Sequence, residues 1–162
     1  MKFELRRGDV ADPRAVAAGE EAERWMGEGR CCAEAIVLAT IDRFAPDAPR
    51  GVAAAAAGLC GGMGNQRATC GVYTGGALAI GLLPGGRDAR ALKGLSAGFQ
   101  ERLAAEAGAL ECGELRRLMG WRNLTGGRCR ELTARGAELL AEMVIADGAV
   151  SLTTPEERDG NK

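Results

Sequence analysis

Three observations predict an all-α fold, a single-domain bundle of six or seven helices. Apolar residues recur at spacings of three and four, and no segment sustains the alternation of a half-buried strand. Glycine, proline and short polar residues fall where helices need caps and stops. Aromatic residues make up only 4% of the chain while alanine and glycine abound, so the helices are expected to pack closely through small side chains. A length of 162 residues suits one domain with its own core.

The first helix opens at Asp12-Pro13, a side-chain cap followed by a residue pre-set for a first turn, and runs through Val16, Glu20 and Glu23 to about Met26. A second begins near Cys31 and stops before Pro46, carrying Ile36, Ala39 and Phe44. Arg50 to Gly58 reads as a short alanine helix, followed by a glycine-rich connection over 58–69. The next helix spans about Cys70 to Leu83 and ends at PGG. The longest pattern, Asp88 to about Ala107, places Leu92, Leu95, Phe99 and Leu103 on one face. Two further helices start near Cys112 and Cys129, the second reaching Val144 or Ile145. This makes residues 1–146 the domain and leaves 147–162 as a polar tail.

Charge narrows the function classes. The net charge is -1 and the 18 arginines are dispersed among carboxylates, which disfavours nucleic-acid binding. The opening MKFELRRGDVADP lacks the apolar core of a secretory signal, and VAAAAAGLC and ALAIGLL are too short to span a bilayer, so a cytoplasmic protein with no membrane insertion is expected. The glycine clusters contain no phosphate-binding GxxxxGK[ST] pattern.

The six cysteines carry the chemistry. Cys32, Cys70, Cys112 and Cys129 each lie where a polar or glycine-rich connection becomes a helix: GEGRCCAEA, NQRATCGV, ECGEL and GGRCREL. Each falls in phase with apolar positions of its helix: Cys32 with Ile36 and Ala39, Cys70 with Ala77 and Gly81, Cys112 with Leu115 and Met119, Cys129 with Leu132, Leu139 and Met143. A helix N-terminus favours thiolate, and four inward thiolates require a cation, which a metal or an iron–sulfur cluster supplies. Arg30, Arg67 and Arg128, close in sequence to these cysteines, are candidates to offset the remaining negative charge. Gly61, Gly62, Gly64 and Gly71 allow backbone amides to approach such a group. Against this stands cysteine as a small core hydrophobe. The chain has no CxxC and no histidine, so zinc-ribbon, thioredoxin and Cys-His signatures are lacking. Tyr73 is expected to pack in the core with its hydroxyl satisfied.

CAEAIV at Cys32, CGVYTG with Cys70, Gly71 and Gly75, ECGEL at Cys112 and RCREL at Cys129, with GGMG before the central motif, resemble the C-GCAxxG-C-C family of redox-active proteins over about residues 24–145. The resemblance implies redox activity with an unidentified redox partner protein, an accessory electron-transfer role rather than a stand-alone enzyme. A related cysteine arrangement in split-Soret cytochromes holds an iron–sulfur centre, which implies a [2Fe-2S] cluster on Cys32, Cys70, Cys112 and Cys129. The alternatives are a metal-free dithiol/disulfide protein and a structural zinc domain. Val72 replaces the motif's alanine, and Cys31 and Cys60 are extra: Cys31 is expected to be a partly exposed bystander, Cys60 to reach the same pocket.

Overall fold

Seven α-helices and two short 3-10 turns account for the regular structure in the computed structural model, which describes residue 5 and residues 12–148. The helices are α1 (Pro13–Gly27), α2 (Cys32–Phe44), α3 (Gly51–Ala55), α4 (Gly71–Leu82), α5 (Ala89–Ala107), α6 (Cys112–Met119) and α7 (Gly127–Ala146). The 3-10 turns, Ala56–Leu59 and Gly120–Asn123, follow α3 and α6. The all-α, single-domain expectation holds, and its helix starts are close to those read from caps. Asp12 accepts from the Arg14 amide at 2.9 Å, and Asp88 accepts from the Ala91 amide at 2.8 Å. Such bonds satisfy amides that lack a partner one turn back. α7 starts two residues before Cys129, at Gly127, because Gly126 takes the left-handed conformation (φ 75°) that turns the chain into the helix. No helix among the described residues is long and apolar enough to cross a membrane. The tail beyond Gly148 lies outside the described residues.

α7 is the central helix, with α1, α2, α4 and α5 packed around it. Every residue from Leu132 to Ala141 is buried, including Thr133, Arg135 and Glu138. A helix enclosed on all sides must satisfy its polar groups internally. Arg135 does so with Glu106 of α5 through two bonds of 2.6 and 2.8 Å, with Glu142 at 2.9 Å and with Glu138 at 3.3 Å.

Small side chains set the helix spacing, as the composition foretells. α1 lays Ala15, Ala18, Gly19 and Ala22 against α7, where a β-carbon at Gly19 would lie 2.7 Å from the Glu138 Cγ. α4 approaches α2 at Gly75, where a β-carbon would lie 2.8 Å from the Ala33 Cα and 2.9 Å from its carbonyl oxygen. The buried face of α4 comprises Val72, Tyr73, Gly75, Gly76, Ala79 and Ile80, whereas Gly81 is exposed. The phase expected from Cys70 to Gly81 therefore fails. Cys70 is the cap of α4, in extended backbone, so the helical rotation does not start from it.

Candidate functional site

A tertiary feature absent from the sequence pattern brings two of the helix starts together. Thr69 and Glu111 form an isolated antiparallel bridge. The Cys70 amide donates to the Leu110 carbonyl at 2.9 Å, the Cys112 amide to that of Ala68 at 2.7 Å, and the Gly113 amide to that of Arg67 at 3.0 Å. This clamp sets the cap of α4 beside the first residue of α6. Packing of α4 on α2 then adds Cys32, the first residue of α2, whose Sγ would lie 2.7 Å from a β-carbon at Gly71. Cys129, the third residue of α7, completes the set.

All four thiols line one cavity of about 270 Å³, shared with Gly61, Val72, Leu115, Arg116, Asn123 and Leu132. Leu124 also lines it and is 86% exposed, so the cavity reaches solvent beside the Gly120–Asn123 turn. Cys70 and Cys112 are buried, Cys32 and Cys129 partly so. Of the five glycines singled out in the sequence, Gly61 lines the cavity and Gly71 abuts Cys32. Gly62 packs against the backbone of Arg67 and Ala68, Gly75 against α2, and Gly64 is exposed with open space around it.

Electrostatics divide the thiols rather than lowering all four. Cys70 sits between Cys32 and Cys112, and its interaction with both, together with burial, pushes it well above the usual thiol range: it retains the proton. Cys112 is lowered to about 6, first by the Cys70 thiol and then by the charges of Arg116 and Arg67. Cys32 is lowered by the Cys70 thiol and by the amides of Gly61 and Ala33, against burial. Cys129 is raised, chiefly by burial, although the Asn123 side-chain amide donates to its sulfur at 3.2 Å. Helix starts alone would have favoured thiolate at every position. The adjacency of three sulfurs and their unequal burial overrule that expectation.

In the metal-free protein, Cys112 is thus mostly thiolate at neutral pH. We expect its alkylation rate, followed by peptide mass spectrometry, to rise half-maximally near pH 6, and that midpoint to move to higher pH in Arg116→Ala. A midpoint near that of a free thiol, roughly 8.5, would contradict the assignment.

The arginine expectations are revised. Arg67 faces Cys112, but Arg30 and Arg128 pair with Glu34 at 3.3 Å and Glu131 at 2.7 Å. Arg116 takes the role expected of them; its position one helical turn after Cys112 is the signal that could have identified it. Asn123 is likewise a residue the sequence reading missed. Its Oδ1 accepts the Cys129 amide at 3.1 Å while its Nδ2 donates to the Cys129 sulfur. Tyr73 is fully buried and donates its hydroxyl to the Ala109 carbonyl at 2.8 Å, as expected of a satisfied core tyrosine.

Cys31 and Cys60 are joined in a disulfide, with Cα atoms 6.2 Å apart. Cys31 is therefore no bystander. It caps α2 in extended backbone, its amide held by the Glu34 carboxylate at 3.1 Å. Cys60, expected to reach the cavity, instead closes onto Cys31.

No curated protein and no solved structure matches this chain. A family model described as "Putative redox-active protein (C_GCAxxG_C_C)" matches residues 30–143, which include all four cavity cysteines and the CGVYTG motif. Over that span, well beyond half its length, the chain belongs to the C_GCAxxG_C_C family.

Proposed function

We propose that Cys32, Cys70, Cys112 and Cys129 hold an iron–sulfur cluster, [2Fe-2S], and that the protein passes electrons to and from a partner protein. The observation that carries this reading is the convergence of four thiols, from four helix starts, on one cavity of about 270 Å³. The donor set is all sulfur, which suits iron–sulfur ligation. Backbone amides of Gly61 and Ala33 at Cys32 and of Val72 at Cys70, with the Asn123 amide at Cys129, supply the hydrogen bonds to sulfur that tune such centres. When bound, the cluster would supply reversible one-electron transfer. The chain's own part is to orient the sulfurs, offset their charge at Arg67 and Arg116, and surround them with Val72, Leu115 and Leu132. Gly71 leaves the space that the Cys32 sulfur occupies.

A structural zinc ion would account for the four thiols but leaves Gly61 at the cavity and Gly71 beside Cys32 without a purpose; among the described residues no group of three or more metal-ligating side chains is placed to hold an ion, which bears on both metal readings alike. A metal-free thiol protein is favoured by one specific observation, the contact between a protonated Cys70 and a thiolate-prone Cys112. Such a dithiol can reduce the disulfide of a partner, the Cys112 thiolate attacking a disulfide sulfur and the Cys70 sulfur then resolving the mixed disulfide.

Serine substitution separates the readings. Wild-type protein is expected to carry about two iron and two sulfide per chain. Cys32→Ser, Cys70→Ser, Cys112→Ser and Cys129→Ser should each lose or strongly alter the cluster, while Cys31→Ser retains iron. Full iron and an unchanged spectrum in any of the four would remove that residue from the ligand set.

A further inference from the structure

The Cys31–Cys60 disulfide lies outside the four-thiol cavity, yet it joins the two segments that control one of its thiols. Cys31 directly precedes Cys32. Cys60 directly precedes Gly61, which lines the cavity together with Cys32 and whose amide acts on that sulfur. The cross-link therefore ties the chain that delivers this thiol to the chain that delivers its donor.

The segment after Cys60 has a second unusual property. Gly61, Gly62, Met63, Gly64 and Asn65 all have positive φ, from 57° to 75°, and Arg67 follows at 65°. Left-handed backbone is unfavourable for residues with a β-carbon, and a succession of them persists only where its ends are fixed. Downstream, the turn is held by Arg67 and Ala68 amides donating to the Gly61 and Gly62 carbonyls at 3.1 and 3.2 Å, and by the Thr69–Glu111 bridge. Upstream, the disulfide is the covalent anchor. Cys31 and Cys60 are both partly exposed, within reach of a reductant.

We propose that Cys31 and Cys60 form a second redox centre, a dithiol/disulfide couple whose oxidised state latches the 61–65 turn against Cys32 and whose reduced state releases it. The co-reactant class is a dithiol. One of its thiolates attacks Sγ of Cys31 or Cys60, forming a mixed disulfide and expelling the other protein sulfur as thiolate. The second thiol of the reductant then attacks its own mixed-disulfide sulfur, so two electrons and two protons pass to the protein. The products are two cysteine thiols and an oxidised, disulfide-bonded reductant. The chain leading from α3 into the turn then loses its cross-link, and the Gly61 amide is free to leave the Cys32 sulfur. This couple is independent of which group the cavity holds, because it uses neither cavity sulfurs nor their ligands.

The test uses the full chain as purified, treated anaerobically with dithiothreitol or with oxidised glutathione. Peptide mapping scores the Cys31–Cys60 bond, and hydrogen exchange follows the amides of residues 61–67. The bond is expected to open with the dithiol and re-form with the oxidant. Exchange over 61–67 should accelerate about tenfold or more on opening, with α5 unchanged as an internal reference. The Cys31→Ser protein should exchange like the reduced wild type, and because the wild type is compared with itself, a folding defect in the variant leaves the comparison intact. A bond that resists dithiothreitol in the native protein, fails to re-form, or opens with no change in exchange over 61–67 overturns the proposal.

Discussion

Replacing Arg135 with alanine is expected to destabilise the protein by about 3–5 kcal/mol, the largest effect of any single substitution considered. Arg135 is 3% exposed at the middle of the central helix and is surrounded by three carboxylates, Glu106, Glu138 and Glu142. Its removal leaves the nearly buried Glu138 and the partly exposed Glu106 and Glu142 packed against one another without their shared counter-charge, and leaves a void between α5 and α7. Lysine should rescue only part of the loss, since a single ammonium cannot reproduce the two bonds to Glu106. Urea unfolding measures this directly. A loss below about 1 kcal/mol, typical of an exposed pair, would show that the network is solvated.

The second large effect depends on where a methyl group is added. Gly75→Ala places a β-carbon 2.8 Å from the Ala33 Cα, and the backbone of α2 cannot move aside without shifting Cys32 at its start. Overpacking of this kind costs about 1–3 kcal/mol, more than the up to 1 kcal/mol or so that alanine adds to a helix. Gly94→Ala in α5 is the control. That position is exposed, has open space around it and gains stability from the same methyl. The two variants should therefore move the urea midpoint in opposite directions. Equal stabilisation by both would show that α2 and α4 do not depend on close approach at Gly75.

The features legible in the sequence were those with local causes. Asp12-Pro13 and Asp88 mark helix starts because a cap acts within three residues, and the spacing from Leu92 to Leu103 marks α5 because a helical face repeats within a turn. The four cavity cysteines were legible as a set because each stands at or within three residues of a helix start, a position readable from its neighbours. Features produced by tertiary geometry were hidden. The Thr69–Glu111 bridge joins segments about 40 residues apart with no strand pattern in either, and it alone explains why Cys70 and Cys112 are neighbours. The Cys31–Cys60 bond spans 29 residues and depends on the turn of the α3 segment toward α2. Arg30 and Arg128 looked equivalent to Arg67 by sequence proximity, but nearby glutamates on α2 and α7 captured them. Cys70 misled the phase reading because a cap residue does not share its helix's rotation.

Ligation of an iron–sulfur cluster by the four convergent thiols is checked by purifying the protein without oxygen and recording its visible absorption alongside iron, acid-labile sulfide and zinc content. The expected result is a brown protein with sulfur-to-iron absorption bands and iron and sulfide in equal amounts, about two of each per chain. Colourless protein with stoichiometric zinc, or metal-free protein in which all four cavity thiols titrate, would contradict it.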